Sequence, residues 1–278
     1  MESKLIVVVG ASGKQGQSVI NSLSEQGYQI RALVRNPEKV GALFAPNVEI
    51  YKGDLNKKSS LTSLLDNAYG LFFALPHTSN SVGYGEALLE LAKHSAVQHI
   101  VYSSVGGADR YTKVEHYGYK KAIEDKLKAI NKPYTILRPV GYMETFANQM
   151  STKVMAGMLR LYLDDSKKFQ LISVQDIGKF VELSFSHPDQ YVGKEMEIAG
   201  DELSLNEMFE KINSEMDVNI SPVNFPKFTK FILPKIMKQM FLFYAEDGWR
   251  ADIASLREAN PELLSFDDWL KTIEPYDA

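Results

Sequence analysis

The chain has 278 residues, of which 45% are hydrophobic and 24% charged, fractions that are typical of a folded globular protein and not of a disordered or fibrous one. A formal net charge of −4 argues against a nucleic-acid partner, because neutralising a phosphate backbone requires a concentrated excess of Lys and Arg. The absence of cysteine excludes a disulfide framework, a thiolate nucleophile and a cysteine-based zinc site.

The N-terminal residues lack the long apolar region and cleavage site of a signal peptide, which together with the lack of cysteine predicts a cytoplasmic location. The longest apolar stretches, 69–76 and 228–244, are too short or too interrupted by Lys and Gln to span a bilayer, so no membrane partner is expected. The five histidines show no metal-ligand spacing, and no metal is expected either.

Strand-like and helical patterns alternate over the first 138 residues. Strands are predicted over 5–9, 29–34, 48–52, 70–75, 99–103 and 134–138, and helices over 15–26, 59–67, 83–95 and 116–130. Strands that are nearly continuous runs of Val, Ile, Leu and Phe require a parallel sheet that is covered on both faces. The sequence therefore predicts an α/β fold with a Rossmann-type doubly wound parallel sheet.

Beyond residue 140 the alternation weakens into a helical stretch over 144–161, short strands over 168–173 and 195–199, and a helical C-terminal half. We predict a dinucleotide-binding domain over 1–140, to which 168–200 contributes strands, and a smaller α+β region on the substrate side over 141–278. No Gly/Ser-rich linker separates the two, so the predicted boundary is gradual.

A glycine-rich loop follows the first strand and reads GASGKQG over residues 10–16. In a dinucleotide-binding loop the first glycine permits a tight turn, the second lets the backbone approach the pyrophosphate, and the third lets the helix pack closely on the strand. The free N–H groups of the helix N-terminus then face the phosphates. The alternative is a plain strand-to-helix turn that happens to be rich in glycine. The predicted cofactor-binding residues of this loop are Gly10, Ser12, Gly13, Lys14, Gln15 and Gly16.

The end of the second strand selects between NAD(H) and NADP(H). An acidic residue there hydrogen-bonds the ribose 2′-hydroxyl of NAD(H), but no carboxylate occurs before Glu38. Arg35 stands instead where its guanidinium can pair with a 2′-phosphate, and Lys14 offers a second cation. NADP(H) is therefore the predicted cofactor, with a merely solvated Arg35 as the alternative.

The helix after the fifth strand carries the residues that suggest catalysis. In short-chain dehydrogenases a strand-end Ser, a Tyr and a Lys four residues later assist proton transfer to a carbonyl group, and residues four apart share one helix face. The spacing occurs twice here, as His116 with Lys120 and as Tyr117 with Lys121, and Ser103 ends the preceding strand.

Ile123 and Glu124, followed by Leu127, define the inward face of this helix, and the order Lys120-x-x-Ile123-Glu124 favours Lys120 as the cofactor lysine. His116 then takes the place of the tyrosine. A histidine can donate a hydrogen bond or a proton near neutral pH, although a polar residue at a helix N-terminus is the alternative. Ser103 lacks the G-x-S-x-G pattern of a hydrolase nucleophile, so it is predicted to bind a carbonyl group, or else only to cap the strand.

Two aromatic stretches remain. Tyr142 follows the sixth strand, at the sheet edge where open α/β sheets bind ligands, and is predicted to line the site, although aromatic residues at this spacing are also typical of core. The helical stretch 228–244 bears several lysines, and we predict a helix packed on the core with a solvated lysine face, not a membrane or partner helix.

The chain resembles the NmrA-like family of atypical short-chain dehydrogenases over nearly its whole length. The resemblance rests on the glycine loop, on His116 with Lys120, and on further segments at 31–35, 53–55, 134–139, 174–178 and 266–270, which read RALVR, GDL, YTILRP, VQDIG and FDDWL. Taken together these motifs are specific, whereas individually most are not.

The resemblance implies an NADP(H) site in which Arg35 binds the 2′-phosphate and Lys120 the nicotinamide ribose. It also implies that Asp54 and Leu55 lie near the adenine and that Ala74, Leu75 and Pro76 lie near the ribose. From its position alone, Asp54 is equally well interpreted as a turn or cap residue.

The activities of the family leave two functions open. Some members reduce quinones, dyes or phenolic compounds with NADPH, whereas others bind the dinucleotide and regulate a protein partner. The first hypothesis is an NADPH-dependent oxidoreductase that transfers hydride to a small conjugated acceptor such as a quinone, which needs less help from a proton donor than a simple ketone. The alternative, based on the missing tyrosine, is a non-catalytic NADP(H) sensor that acts through a protein partner. The sequence does not predict the oligomeric state.

Overall fold

The computed structural model describes residues 4–40, 43–110 and 113–276, so the first three residues of the predicted 1–140 domain and the last two of the 141–278 region lie outside it. The strands are β1 Leu5–Val9, β2 Gln29–Val34, β3 Val48–Lys52, β4 Gly70–Ala74, β5 His99–Ser103, β6 Tyr134–Pro139, β7 Gly141–Tyr142, β8 Phe169–Ile172, β9 Glu195–Ile198 and β10 Asp201–Leu203. The α-helices are α1 Lys14–Glu25, α2 Ser81–Lys93, α3 Glu115–Ala129, α4 Gln149–Leu159, α5 Val174–Ser186, α6 Pro188–Tyr191, α7 Leu205–Glu215, α8 Thr229–Ile232, α9 Lys235–Glu246, α10 Ile253–Ala259 and α11 Phe266–Leu270.

Seven strands form one parallel sheet in the order β3-β2-β1-β4-β5-β6-β9. Strand β1 pairs with β2 on one side and with β4 on the other, so the direction of winding reverses there. In open α/β sheets ligands bind outside the carboxyl ends of the strands at such a reversal point. The predicted α/β fold with a doubly wound parallel sheet is confirmed.

Strand β1 shows why these residues form a central strand. All five of its residues are buried, and alternate side chains point to opposite faces of the sheet. Ile6 and Val8 join the core under α1 and α5, while Val7 and Val9 join the core under α2 and α3. A strand that is apolar on both faces is stable only between two layers of helices.

The predicted helix over 59–67 is wrong. This segment contains a single 3-10 turn, Lys58–Ser60, and continues through further turns to Asn67, whose φ is 60°. The serines and Thr62 between its leucines favour non-helical conformations, because their side chains compete for backbone hydrogen bonds. Leu61, Leu64 and Leu65 are still buried, so the apolar spacing reflected burial and not helix formation.

The chain beyond residue 140 contributes to two sheets. Strand β9 extends the main sheet beside β6, whereas β8 lies between β10 and β7 in a separate three-stranded sheet. The predicted strands within 168–200 therefore divide between the sheets. Among the described residues, no helix is both long and apolar enough to cross a membrane.

Candidate functional site

A cleft of 770 Å³ opens at the carboxyl ends of β1, β2 and β4, where the sheet reverses its winding. The fold thus brings together residues from five separate segments of the sequence. Of the residues predicted to bind a cofactor, those lining this cleft are Gly10, Ser12, Gly13, Lys14, Gln15, Gly16, Arg35, Asp54, Leu55, Ala74, Leu75, Pro76 and Tyr142.

The glycine loop has a shape that side chains would block. Gly10 adopts a φ of +86°, and a Cβ atom there would lie 2.6 Å from the carbonyl oxygen of Ala74. A Cβ atom on Gly16 would lie 2.2 Å from the carbonyl oxygen of Gly10. Helix α1 begins directly after Gly13, which caps it without any side-chain hydrogen bond. The residues therefore form a backbone cradle at a helix N-terminus, which fits a phosphate group.

Positive charge lies at the far end of the cleft. Arg35 is exposed just beyond β2, and Lys52 and Lys57 line an adjoining depression of 660 Å³ with it. The pKa of Asp54 is lowered, chiefly by the 2.9 Å hydrogen bond that its carboxylate accepts from the Asn56 N–H and in part by the charge of Arg35. Asp54 is thus a turn residue that also faces the cleft.

Lys120 is buried behind the cleft and does not line it. Its Nζ atom donates to the carbonyl oxygen of Leu75 at 3.0 Å and to that of Ser103 at 3.3 Å, the ends of two neighbouring strands. Burial lowers the pKa of Lys120 to about 8, against the opposing charge of Glu124. Of the two possible pairs on α3, His116 with Lys120 faces inward, whereas Lys121 pairs with Asp125.

Two histidines meet at the inner end of the cleft. The rings of His116 and His77 lie edge to face with their centroids 4.8 Å apart. Burial, reinforced by the charge of Lys120, lowers the pKa of His116 to about 4 and that of His77 to about 3. Both rings are therefore neutral near pH 7. His77 did not emerge from the sequence, although its position three residues after the end of β4, near the ligand-binding edge, is a signal that could have found it.

An apolar pocket of 280 Å³ adjoins the cleft, and both histidines contribute to its wall. His77 and Tyr142 line the pocket and the cleft alike, so the two spaces meet at these residues. The remaining wall is mostly aromatic and aliphatic. It is made by Ser104, Val105, Tyr117, Pro139, Val140, Gly141, Thr145, Phe146, Met155, Leu159, Phe169, Leu171, Met237, Met240, Phe241, Tyr244 and Trp249.

Hydrogen bonds join three segments where the two spaces meet. The Ser103 hydroxyl donates to Gln15 Oε1 at 2.7 Å, and Gln15 Nε2 donates to the Tyr142 hydroxyl oxygen. Burial raises the pKa of Tyr142 to about 12, so its hydroxyl stays protonated at neutral pH. Because the Tyr142 oxygen accepts the bond from Gln15, its own proton is available to a bound molecule.

The structure shows further pocket residues that the sequence did not identify. Ser104, and not Ser103, lines the pocket, so a role for Ser103 in binding a carbonyl group stays a prediction. Tyr117 also lines it and packs edge to face on Phe243, with ring centroids 5.3 Å apart. Helix α9 contributes a stripe with the spacing i, i+3, i+4 and i+7, which is typical of a core-packed helix and therefore gave no separate signal of a pocket. The stripe consists of Met237, Met240, Phe241 and Tyr244.

Comparison with known proteins identifies relatives by sequence and solved structures with a similar fold. It is 27% identical over 192 residues to photosystem II assembly factor Ycf39 of Trieres chinensis, covering 66% of this chain and 60% of that protein. The chain thus spans about 60% of the length of the first curated relatives that it matches. The NADPH-dependent quinone oxidoreductase of Escherichia coli, solved with NADPH, superimposes with a TM-score of 0.80 at 20% identity, covering 96% of this chain and 99% of that one.

The negative transcriptional regulator NmrA has the same fold, with a TM-score of 0.78, 17% identity, and coverage of 97% of this chain and 95% of that chain. A family model described as the NmrA-like family matches residues 2–274. The resemblance inferred from the motifs is thereby confirmed, and the chain belongs to the NmrA-like family.

Proposed function

We propose that the protein is an NADPH-dependent reductase that transfers hydride to a flat, conjugated acceptor such as a quinone. The observation that carries this proposal is the junction at His77 and Tyr142, where the apolar pocket meets the cleft. A dinucleotide in the cleft and an aromatic acceptor in the pocket would touch there. When bound, NADPH supplies the hydride, and the acceptor takes up one further proton to become a hydroquinone.

The cleft fits a dinucleotide phosphate at two places. The backbone cradle of the glycine loop would hold the pyrophosphate at the N-terminus of α1, and Arg35 would pair with the 2′-phosphate. The solved relative that holds NADPH supports this assignment. NADP(H) is accordingly the cofactor that we propose.

The residues around the junction supply a hydrogen-bond donor, a positive charge and a wall that excludes water. The protonated hydroxyl of Tyr142 donates a hydrogen bond to the acceptor oxygen on which negative charge develops. Lys120, which is hydrogen-bonded to the ends of β4 and β5, places a positive charge behind the junction of the cleft and the pocket. His116 and His77 are neutral, so they shape the wall and exclude water and do not deliver a proton as imidazolium.

The pocket selects the class of acceptor. Its volume of 280 Å³ lies near the lower end of ligand pockets, about 300–1,000 Å³, and suits one or two fused rings. A wall of Met, Phe, Tyr and Trp side chains favours an apolar, planar molecule over a charged or sugar-like one. A quinone accepts hydride into a delocalised ring system, which agrees with the absence of a tyrosine at position 116.

One observation favours a second candidate, a non-catalytic NADP(H) sensor that regulates a protein partner. The neutral His116 stands where short-chain dehydrogenases carry the proton-donating tyrosine, and the NmrA regulator shares the fold. A sensor binds NADP⁺ and NADPH without consuming either. The two candidates therefore differ in turnover.

The test is oxidation of NADPH in the presence of a panel of benzoquinones and naphthoquinones. We expect steady turnover by the wild-type protein, and we expect Met240→Trp, which fills the pocket, to abolish it without changing the dissociation constant for NADPH. NADPH binding with no turnover of any quinone would favour the sensor. Equal turnover in Met240→Trp would show that the acceptor binds elsewhere.

A further inference from the structure

The hairpin made by α8 and α9 exposes large apolar side chains. Phe228 is 62% exposed, Phe231 80% and Ile232 73%, and their spacing of three and four residues places them on one side of the same helical turn. Ile236 is exposed just beyond the bend at Pro234. The prediction that 228–244 packs on the core is therefore wrong for Phe228, Phe231 and Ile232, although Leu233 packs against the core and Lys230 lies over the ring of Tyr162.

Lysines surround this apolar surface. Residues 218–245 contain Lys227, Lys230, Lys235 and Lys238 but no Asp or Glu, so the segment carries +4 in a chain whose net charge is −4, which leaves −8 for all other residues. Lys238 Nζ donates to the carbonyl oxygen of Phe231 at 2.7 Å, which fixes α8 against α9. The exposed apolar residues thus lie within a positively charged stretch of an acidic protein.

The opposite side of the same hairpin forms the apolar pocket. Met237, Met240, Phe241 and Tyr244 of α9 line it, whereas Lys235 and Leu242 are exposed on the other side of the helix. A single helix therefore separates the proposed acceptor site from the lysine-rich apolar surface.

We propose that residues 227–238, the docking surface, bind the surface of an anionic lipid bilayer. Apolar side chains flanked by lysines, without acidic residues, are characteristic of segments that lie in the interface between acyl chains and headgroups. Phe228, Phe231 and Ile232 enter the boundary of the acyl region, and the exposed Lys227 and Lys235 contact anionic headgroups.

Charge also decides between a bilayer and a second copy of the chain. Two docking surfaces of +4 repel each other, so self-association through this face is disfavoured, whereas an anionic bilayer attracts it. The remaining −8 of the molecule is repelled by the same bilayer, which orients the protein with α8 and α9 towards the lipid. The sequence pattern favoured a core-packed helix over a membrane or partner helix for 228–244, because the hydrophobic pattern did not show that Phe228, Phe231 and Ile232 are exposed.

This inference extends the proposed function, on which its second part rests. A protein docked in this way draws its acceptor from the bilayer, so we assign the acceptor to the lipid-soluble quinones that carry an apolar chain. Water-soluble quinones would reach the pocket without docking. Lipid binding itself does not depend on turnover.

The test of docking is co-sedimentation with vesicles of phosphatidylcholine, with and without phosphatidylglycerol. We expect the wild-type protein to bind vesicles that contain phosphatidylglycerol at least about tenfold more tightly than phosphatidylcholine alone, and less tightly at high salt. The double variants Phe231→Ser/Ile232→Ser and Lys227→Gln/Lys235→Gln should each lose about tenfold or more. The control is Val192→Ser, which changes an exposed apolar residue outside the docking surface and should bind like the wild type.

Three results would overturn the docking proposal: no binding to anionic vesicles, binding that neither double variant weakens, or a dimer in solution that Phe231→Ser/Ile232→Ser dissociates. Retained NADPH binding shows that each variant is folded.

Turnover provides the separate test of the acceptor class. The double variants should reduce a long-chain quinone in vesicles more slowly than the wild type does, and should reduce a water-soluble quinone at the wild-type rate. If the wild type reduces neither quinone, the proposed reductase activity is refuted, but the result on vesicle binding is unaffected.

Discussion

The ammonium group of Lys120 donates to the carbonyl oxygen of Leu75 at 3.0 Å, so α3 is fastened to the end of β4 at the floor of the cleft. The same nitrogen also binds the carbonyl oxygen of Ser103, which joins β5 to this contact. A buried cation is costly unless it is hydrogen-bonded, and two backbone carbonyls meet that need. The lysine thus sets the geometry of the cleft floor as well as its charge.

The first prediction concerns the pH dependence of stability. The pKa of Lys120 is about 8 in the folded protein and 10.5 for an unperturbed lysine, so between these values the unfolded state binds more protons and the free energy of unfolding rises with pH. Relative to Lys120→Met, the wild type should gain up to about 3 kcal/mol between pH 8 and 10.5. Chemical denaturation at several pH values measures this. Lys121→Met is the control, and equal pH slopes in the wild type and Lys120→Met would contradict the burial of the charge.

The second prediction concerns cofactor selectivity. Arg35→Ala should weaken NADPH binding by about 10- to 100-fold, since a hydrogen bond to a charged group contributes about 1.5–3 kcal/mol, and should leave NADH nearly unaffected. Titration of intrinsic fluorescence with each dinucleotide gives both dissociation constants. Lys39→Ala, which removes an exposed cation that does not line the cleft, is the matched control. An equal loss for NADH and NADPH would mean that Arg35 does not contact the 2′-phosphate.

The third prediction concerns Tyr142. Tyr142→Phe removes the hydroxyl that faces the junction and should lower kcat by about 100- to 1,000-fold, the effect of losing one hydrogen bond that strengthens in the transition state. Tyr84→Phe removes another hydroxyl from the same cleft, one that donates to Asn56, and should leave kcat unchanged. Steady-state kinetics with saturating NADPH compares the two variants. A similar kcat for both would remove Tyr142 from the chemistry.

The fourth prediction concerns His116. Its pKa of about 4 means that the ring does not titrate between pH 5 and 7.5, so kcat should not show an inflection near 6.5 that depends on this residue. The wild type and His116→Asn should therefore have parallel pH profiles over that interval. An inflection near pH 6.5 that disappears in His116→Asn would make His116 a general acid and overturn the interpretation of both histidines as neutral wall residues.

Much of the fold and of the cleft follows from local sequence. The apolar runs predict the strands of the sheet, and the glycine loop, Arg35 and Asp54 follow strand ends that the parallel topology brings to one edge. Such residues are predictable because a short motif and its place after a strand together fix the position. Tyr142 was found by the same argument.

The apolar pocket was less accessible to prediction. Its wall combines α3, the turn after β6 and helix α9, which are far apart in the sequence, and no periodicity specifies which helix covers which sheet edge. The stripe of Met237, Met240, Phe241 and Tyr244 is the pattern of a core helix, because lining a pocket and packing in a core demand the same side chains. Phe231 lies before the bend at Pro234 and is exposed. The hydrophobic pattern alone does not indicate which side of this helical segment faces the solvent.

The central claim is that a dinucleotide in the cleft and an acceptor in the pocket react at the junction marked by His77 and Tyr142. The most direct measurement is a single turnover, in which protein loaded with one equivalent of NADPH is mixed with a quinone without oxygen and the absorbance of the reduced nicotinamide is followed. We predict that the absorbance decays completely and that one hydroquinone forms for each NADPH consumed. Bound NADPH that stays reduced in the presence of every quinone tested would contradict the claim and identify the protein as a sensor.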